Sequence, residues 1–327
     1  SDALHEADYS FNNNNYFNRL LKITSDNNIP IIIPNSGSKE NEVQVKQHNV
    51  KTLSWETFWF RRTYMSWNKK NNQTLNLQKG IDFKNMNVCK DFELTIPYIC
   101  LNNIVKNHRS KTLDLLAKHN LIEKGAITWR GKTYGNDTYN YKYWVPNVML
   151  LDQDLNVLFN QETMPLEFNN SFMQLVTESM DDMIFFTEKT ATPIFLNKPF
   201  LVVSVTNFHK ALRTLGFELY EELFDYSFDD EPNDDIRYEK IIQNVNKYAN
   251  LTSIELKRAY LSVSQKISRN RELANHLAHT IPPEIINLSN LLTKNNTDYH
   301  GPLNISSYRS EEPRLNSSHI TISYAVF

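Results

Sequence analysis

Thr187-Glu188-Lys189-Thr190 sets a carboxylate beside an ammonium between two apolar runs, in the stretch FFTEKTATPIFLNKPFLVVSV. Where a strand hands over to a helix, such residues can divide one ligand between them. Thr187 can cap the helix, Glu188 can accept hydrogen bonds from ribose hydroxyls, and Lys189 can neutralise a diphosphate. The same residues also fit a capped helix with a surface ion pair, which contributes little stability. A second charged place lies upstream, where the loop after ELTIPYICLN carries Lys106, His108, Arg109 and Lys111. Arg109 falls at or just before a helix start. There a guanidinium, free backbone N–H groups and the positive helix end together suit a phosphate. A solvated basic loop is the plainer account.

The elements that position these residues alternate between β and α from about residue 90 onward. ELTIPYICLN reads as a strand and SKTLDLLAKHNLIEKG as a helix, with Ser110 suited to cap its start and Gly125 to close its end. AITWRGKTYG follows as a strand, and NVMLLDQ and NVLFNQ as short helices or strands. FMQLVTES is a strand, TATPIFLNK a short helix, PFLVVSV a strand, and FHKALRTLGF a helix stopped by Gly216. Such alternation implies parallel βαβ units with helices covering the sheet, and continuous runs such as FLVV fit strands buried on both faces. IRYEKIIQNVNKYAN and SIELKRAYLSVSQKISRNRELANHLAHT read as two further amphipathic helices. Upstream, IPIIIPNSG is a short strand with a turn. TLSWETFWFRRTYMSW reads as a helix with Trp55, Phe58, Trp59 and Arg62 on one face.

Composition narrows the class. Hydrophobic residues at 40% and aromatics at 12% describe a folded chain rather than a disordered one. A net charge of −2 argues against a general nucleic-acid binder. Cys89 and Cys100 are too few for a disulfide framework or a cysteine-rich zinc site. The longest apolar runs, MIFF and FLVVSV, are too short to span a bilayer, so no integral membrane segment is expected. His276 and His279 sit at i, i+3 without a third ligand at a familiar spacing. The acidic run FDYSFDDEPNDD lacks a calcium-loop pattern. Trp55, Phe58 and Trp59 read as core rather than a sugar platform, whereas Tyr134, Tyr139, Tyr141, Tyr143 and Trp144 fit either stacking on a sugar or base, or packing.

FFTEKTATPIFLNKPFLVV resembles the donor-binding segment of GT-B glycosyltransferases, particularly the fucosyltransferase type. There a strand leads to Thr-Glu-Lys, a helix, one or two small residues, Pro and an apolar strand. CLNNIVKNHRSKTLDLL is similar to their upstream donor-phosphate segment, in which an Asn and an Arg precede a helix. Together with LRTLGFELYEELFDYSFDD and NRELANHL, these stretches also resemble a group of marine viral and bacterial proteins that look like divergent members of the class. The likeness runs from about Ile96 to Leu277. It implies a donor site of Asn102, Arg109, Thr187, Glu188 and Lys189, with Arg109 and Lys189 on the diphosphate and Glu188 on the ribose. Two positions depart from the pattern. Phe185 stands where an aromatic hydroxyl is frequent, and Asn197-Lys198 replaces the small residue before Pro, although Asn tolerates the left-handed backbone that Gly would supply.

The fold so implied is α/β, a parallel-sheet Rossmann-like (GT-B-like) architecture with additional C-terminal helices. Residues 1–87 would be a partial amino-terminal, acceptor-side domain, 88–245 the donor-binding domain and 246–308 the C-terminal helices. The acidic run becomes a surface turn. Residues 309–327, RSEEPRLNSSHITISYAVF, look like a translated sequencing adapter and are expected to be artefactual, and an amino-terminal segment is expected to be missing. The implied activity is transfer of a sugar from a nucleotide-sugar donor to a glycan or other hydroxyl acceptor. No cofactor and no obligatory metal are expected, no nucleic acid is a partner, and a cytoplasmic location is expected. The base would come from the amino-terminal domain, where no motif selects among Glu40, Glu42, His48, Glu56 and Asp82. The rivals are a non-catalytic binder of a nucleotide sugar or glycan, and a viral structural or interaction protein retaining the fold. An enzyme or binder requires Arg109, Glu188 and Lys189 to converge, whereas a structural protein would scatter them.

Overall fold

A computed structural model describes residues 31–33, 52–54, 57–71, 93–104, 106–132, 167–283 and 285–287. The chain divides into two compact units: Ser1–Phe58 with His279–Phe327, and Trp59–Ala278. In the first, β1 (Ile31–Ile33) and β2 (Thr52–Ser54) form a parallel pair, with Ile31 opposite Thr52 and Ile33 opposite Ser54. Thr52–Ser54 is therefore strand rather than the start of the expected helix, because pairing with the Ile run overrides helical spacing. The helix itself, α1, spans Phe58–Asn71. Trp55 lies outside the described residues.

The second unit is built on four parallel strands in the order β4-β3-β5-β6, formed by Ile96–Ile104 (β3), Ala126–Lys132 (β4), Ser171–Thr177 (β5) and Phe200–Val203 (β6). The first of these in the chain, β3, lies inside the sheet between the second and the third. Strand order therefore reverses between β3 and β5, the position at which open α/β sheets bind ligands beyond the strands' carboxyl ends. Every residue of β5 and β6 is buried, as the unbroken apolar run of β6 implies, and β5 buries Ser171, Gln174 and Thr177 along with its apolar residues. The strand ends are tied sideways. Thr177 Oγ1 donates to Asn102 Oδ1 at 2.6 Å, and the Asn102 N–H donates to Thr128 Oγ1 at 2.9 Å, which fixes β5, β3 and β4 in register.

Helix α2 (Asn107–Lys118) follows β3 and begins three residues before the expected Ser110 cap. Ser110 instead bonds back to the Lys106 carbonyl at 3.3 Å. Its end also differs, because Asn120, at φ +54°, supplies the left-handed turn expected from Gly125. Gly125 serves a different purpose: a Cβ there would lie 2.3 Å from the ring of buried Tyr98. A one-turn helix α3 (Glu167–Asn170) leads into β5, and α4 (Glu188–Phe195) links β5 to β6. Asn197, at φ +54°, ends α4, and the Lys198 N–H closes on the Pro193 carbonyl at 2.8 Å. Lys198 is fully buried. Its ammonium donates to the Ser171 carbonyl and lies 4.6 Å from the centre of the Phe168 ring.

Helix α5 (Phe208–Thr214) ends at Gly216, at φ +97°, as expected. His209 on α5 covers the outer edge of β6. The Val202 N–H donates to its Nε2 at 3.2 Å, while its Nδ1 donates to Asp229 at 2.9 Å. Asp229 also accepts from the His209 and Lys210 N–H groups at 3.0 and 2.8 Å, so the acidic run is more than a surface turn. Helix α6 (Asp234–Asn246) lies along α2 through Lys111–Asp235, Lys118–Glu239 and His119–Glu239 pairs. The expected long last helix divides at Val263 into α7 (Ser253–Ser262), opened by a Thr252–Glu255 capping box, and α8 (Ser264–His279). The Ser262 and Ser264 hydroxyls bond back to the Ala259 and Leu261 carbonyls at the break, at 2.7 and 2.9 Å. Aromatic residues of α1 pack beside α4: Trp59 meets Phe185 edge-on, and Phe60 lies against Phe195 and Phe217. Trp59 is core, as its spacing implies. Among the described residues no helix is long and apolar enough to cross a membrane.

Candidate functional site

The two charged segments meet where β3 and β5 part, on the two consecutive residues Glu178 and Ser179. From the start of α2, His108 Nε2 donates to the Glu178 carbonyl at 2.8 Å and Arg109 Nη2 to the same oxygen at 3.1 Å. Lys106, the residue before α2, reaches the Ser179 carbonyl at 2.6 Å. From the first turn of α4, Lys189 Nζ donates to Ser179 Oγ at 2.9 Å and to Glu188 at 2.7 Å. Three permanent cations and an imidazole thus converge from two helix starts on one short segment. Lys111, expected with them, turns away to Asp235 on α6.

Glu178, which in sequence is marked only as the end of a strand, organises this edge. Its carboxylate is fully buried and accepts four hydrogen bonds: from the Ser179 and Thr187 N–H groups at 2.8 and 3.0 Å, and from the Thr187 and Thr190 hydroxyls, both at 2.6 Å. Four donors are what a buried carboxylate needs to remain there. Thr187 caps α4 as expected, accepting from the Lys189 N–H at 3.2 Å. The available signal was TES at the end of an apolar strand, with threonines nine and twelve residues further along.

The predicted site residues differ in what they show to solvent. Asn102 is buried, accepts from Thr177 and donates to Cys100 Sγ at 3.2 Å, so it ties strands together. Arg109 is buried beneath the edge with 3% of its surface exposed, and its charge reaches the floor of the sheet. Burial pushes the Cys100 thiol up to about 12, against smaller opposing effects of Asn102 and Arg109, and leaves it unreactive. Lys189 and Glu188 retain side-chain exposures of 26% and 17% and pair with each other. Burial works to raise the Glu188 pKa. Lys189's charge and hydrogen bond outweigh it, with its own backbone N–H and Arg62 adding, and hold the carboxyl below its ordinary value.

Asp181, also missed in the sequence, stands two residues beyond Ser179, with its carboxylate 3.2 Å from His108 Nδ1. Burial works against its charge, but His108, its own backbone N–H and Lys106 prevail and keep its pKa low. His108 is driven toward the neutral ring, first by burial and then by Arg109, against the pull of Asp181.

Glu40, Glu42, His48, Glu56 and Asp82 lie outside the described residues, as do Cys89, the Tyr134–Trp144 aromatic cluster, and NVMLLDQ and NVLFNQ. Among the described residues no group of three or more His, Cys, Asp or Glu is arranged to hold a metal. No family model, curated protein or solved structure matches the chain.

Proposed function

We propose that the chain is a glycosyltransferase of the GT-B, fucosyltransferase-like kind, with residues 88–245 as its Rossmann-like donor-binding domain. It would move a sugar from a nucleotide-sugar donor to a hydroxyl acceptor. The observation that carries this reading is the convergence of Lys106, Arg109 and Lys189 on Glu178-Ser179 at the carboxyl edge of a parallel sheet, at its point of strand reversal. A departing nucleoside diphosphate develops negative charge, and fixed cations at a partly desolvated edge stabilise it without reorganising. Lys189 and Lys106 are the partly exposed members of the set, and buried Arg109 adds a permanent charge beneath them. The amino-terminal domain would supply the base that deprotonates the acceptor hydroxyl.

A second reading is a nucleotide-sugar binder without transfer activity, because cations converging on Glu178-Ser179 would serve to hold a diphosphate whether or not a sugar is moved. In either case the diphosphate would rest on the cations rather than on the start of α4, where Glu178 takes the Thr187 N–H and hydroxyl. The experiment is a thermal melt of the full chain with nucleoside diphosphates and nucleotide sugars, repeated with Lys189→Ala. A ligand at a hundredfold excess over its Kd stabilises the fold by about 2.7 kcal/mol. That stabilisation should disappear in the variant, while its unliganded melt stays cooperative. Acceptor-dependent release of the diphosphate then separates transferase from binder. A well-folded wild type that responds to no nucleotide would overturn both readings.

A further inference from the structure

Lys189 can serve a diphosphate only by giving something up. Its ammonium is already closed on Glu188 at 2.7 Å, so an incoming phosphate has to take it from a carboxylate whose side chain is 17% exposed. A carboxylate abandoned at that depth is far more costly than one at the surface, because little water reaches it to replace the lost ammonium. Another cation has to hold Glu188 when Lys189 turns to a ligand.

Helix α1 brings one. Half-buried Arg62 lies over the face of Trp59, its guanidinium carbon 4.4 Å from the ring centre. Trp59 in turn meets Phe185 edge-on at 6.2 Å between centres, and Phe185 is the third residue before Glu188. The aromatic pair thereby lays the Arg62 face of α1 along the start of α4. Beside Lys189, Arg62 is the cation whose charge bears on the Glu188 carboxylate. Stacking on Trp59 restricts its rotamers, and its guanidinium stays charged at any working pH. Arg61, the next residue, is turned instead to α8, where its Nη1 donates to the Ala278 carbonyl at 3.0 Å.

We propose that Arg62 is a positioning residue that takes over Glu188 when an anion takes Lys189, so that α1 sets how readily this edge accepts a diphosphate. The proposal rests on the nucleotide-sugar reading and adds an exchange of partners to it. One ion pair, Lys189 with Glu188, gives way to two, Lys189 with phosphate and Arg62 with Glu188. Arg62 itself touches no ligand.

The test is calorimetric titration of the full chain with adenosine, guanosine and uridine 5′-diphosphates across a double-mutant cycle of Arg62→Gln and Glu188→Gln. Arg62→Gln should weaken diphosphate binding by about tenfold to a hundredfold, the size of a lost interaction with a charged group. In Glu188→Gln no carboxylate competes for Lys189, so adding Arg62→Gln there should change Kd by less than about twofold. The cycle cancels whatever Glu188 itself contributes to the nucleotide. Arg62→Lys keeps the charge and should restore most of the affinity. Arg61→Gln loosens α1 against α8 and should bind as wild type, which separates the exchange from mere loosening of the helix. Should Arg62→Gln not melt cooperatively, Arg62→Met keeps the stem over Trp59 and takes its place in the cycle. Equal losses from Arg62→Gln in both backgrounds would mean that Arg62 meets the phosphate directly, and no loss in either would mean that Glu188 needs no second partner. Each of those results overturns this proposal alone. Absence of any binding by wild type overturns it together with the nucleotide-sugar reading.

Discussion

At the scale of single residues, Glu178 does for the protein what an incoming anion would otherwise do. It answers the start of α4 and fastens that helix to the end of β5, so that Lys189 projects from a fixed base. Replacing it with Gln puts an amide among four donors, and no rotamer lets that NH₂ accept. Glu178→Gln should lower stability by about 1.5–3 kcal/mol, measured as a reduced urea midpoint with an unchanged slope. The opposite substitution pattern, Thr187→Ser, keeps both roles of the hydroxyl. A Glu178→Gln protein that melts like wild type would show that the carboxylate is incidental to the fold.

At the scale of elements, much was legible and the errors have particular causes. β5, α4, β6 and α5 follow the sequence because apolar runs, a Thr cap, Asn197 and Gly216 all give the same boundaries. Ser110 and Gly125 misled because each has the right chemistry for a helix end but serves another purpose. Ser110 bonds back within the helix. Gly125 makes room for a ring from β3, a contact between residues 27 positions apart that no local pattern reveals. Gly125→Ala forces that ring aside, although its hydroxyl is tied to the Leu121 carbonyl at 2.8 Å. The expected cost is about 1–3 kcal/mol, read as a fall in Tm. An unaltered melt would mean that the ring has space to retreat. The site divides in the same way: Thr187 and Lys189 were visible at a strand-to-helix junction, whereas Glu178 and Asp181 acquire their roles only from partners on α2 and α4.

At the scale of the whole molecule, the buried and half-buried ionisable groups set a direction for pH dependence. Glu188, Asp181 and Asp229 are each held below their ordinary values of 4.5, 3.8 and 3.8, although burial alone would raise them. The folded state therefore binds fewer protons than the unfolded chain. The stability these groups contribute is complete above the ordinary values and is lost as pH falls through the depressed ones. His108, lowered from 6.5 chiefly by burial, has the same sign and starts the loss earlier, as pH drops below 6.5. The Tm of the full chain should be level near neutrality, decline from about pH 6.5 and fall more steeply below about pH 4. A Tm that rises on acidification would contradict these assignments.

The imidazole of His209, bonded to the Val202 N–H, bears on what the folded chain does in a crowd of its own kind. Among the described residues β6 pairs with β5 alone, so its other side could serve as a template for a further strand. The ring occupies a donor there that a second molecule would need, and Asp229 holds it in the one tautomer that leaves a lone pair for the purpose. Take that ring away, as in His209→Ala, and the Val202 N–H is left bare. The folded chain would then offer a place for one copy to join another, so turbidity at neutral pH should rise above that of the wild type.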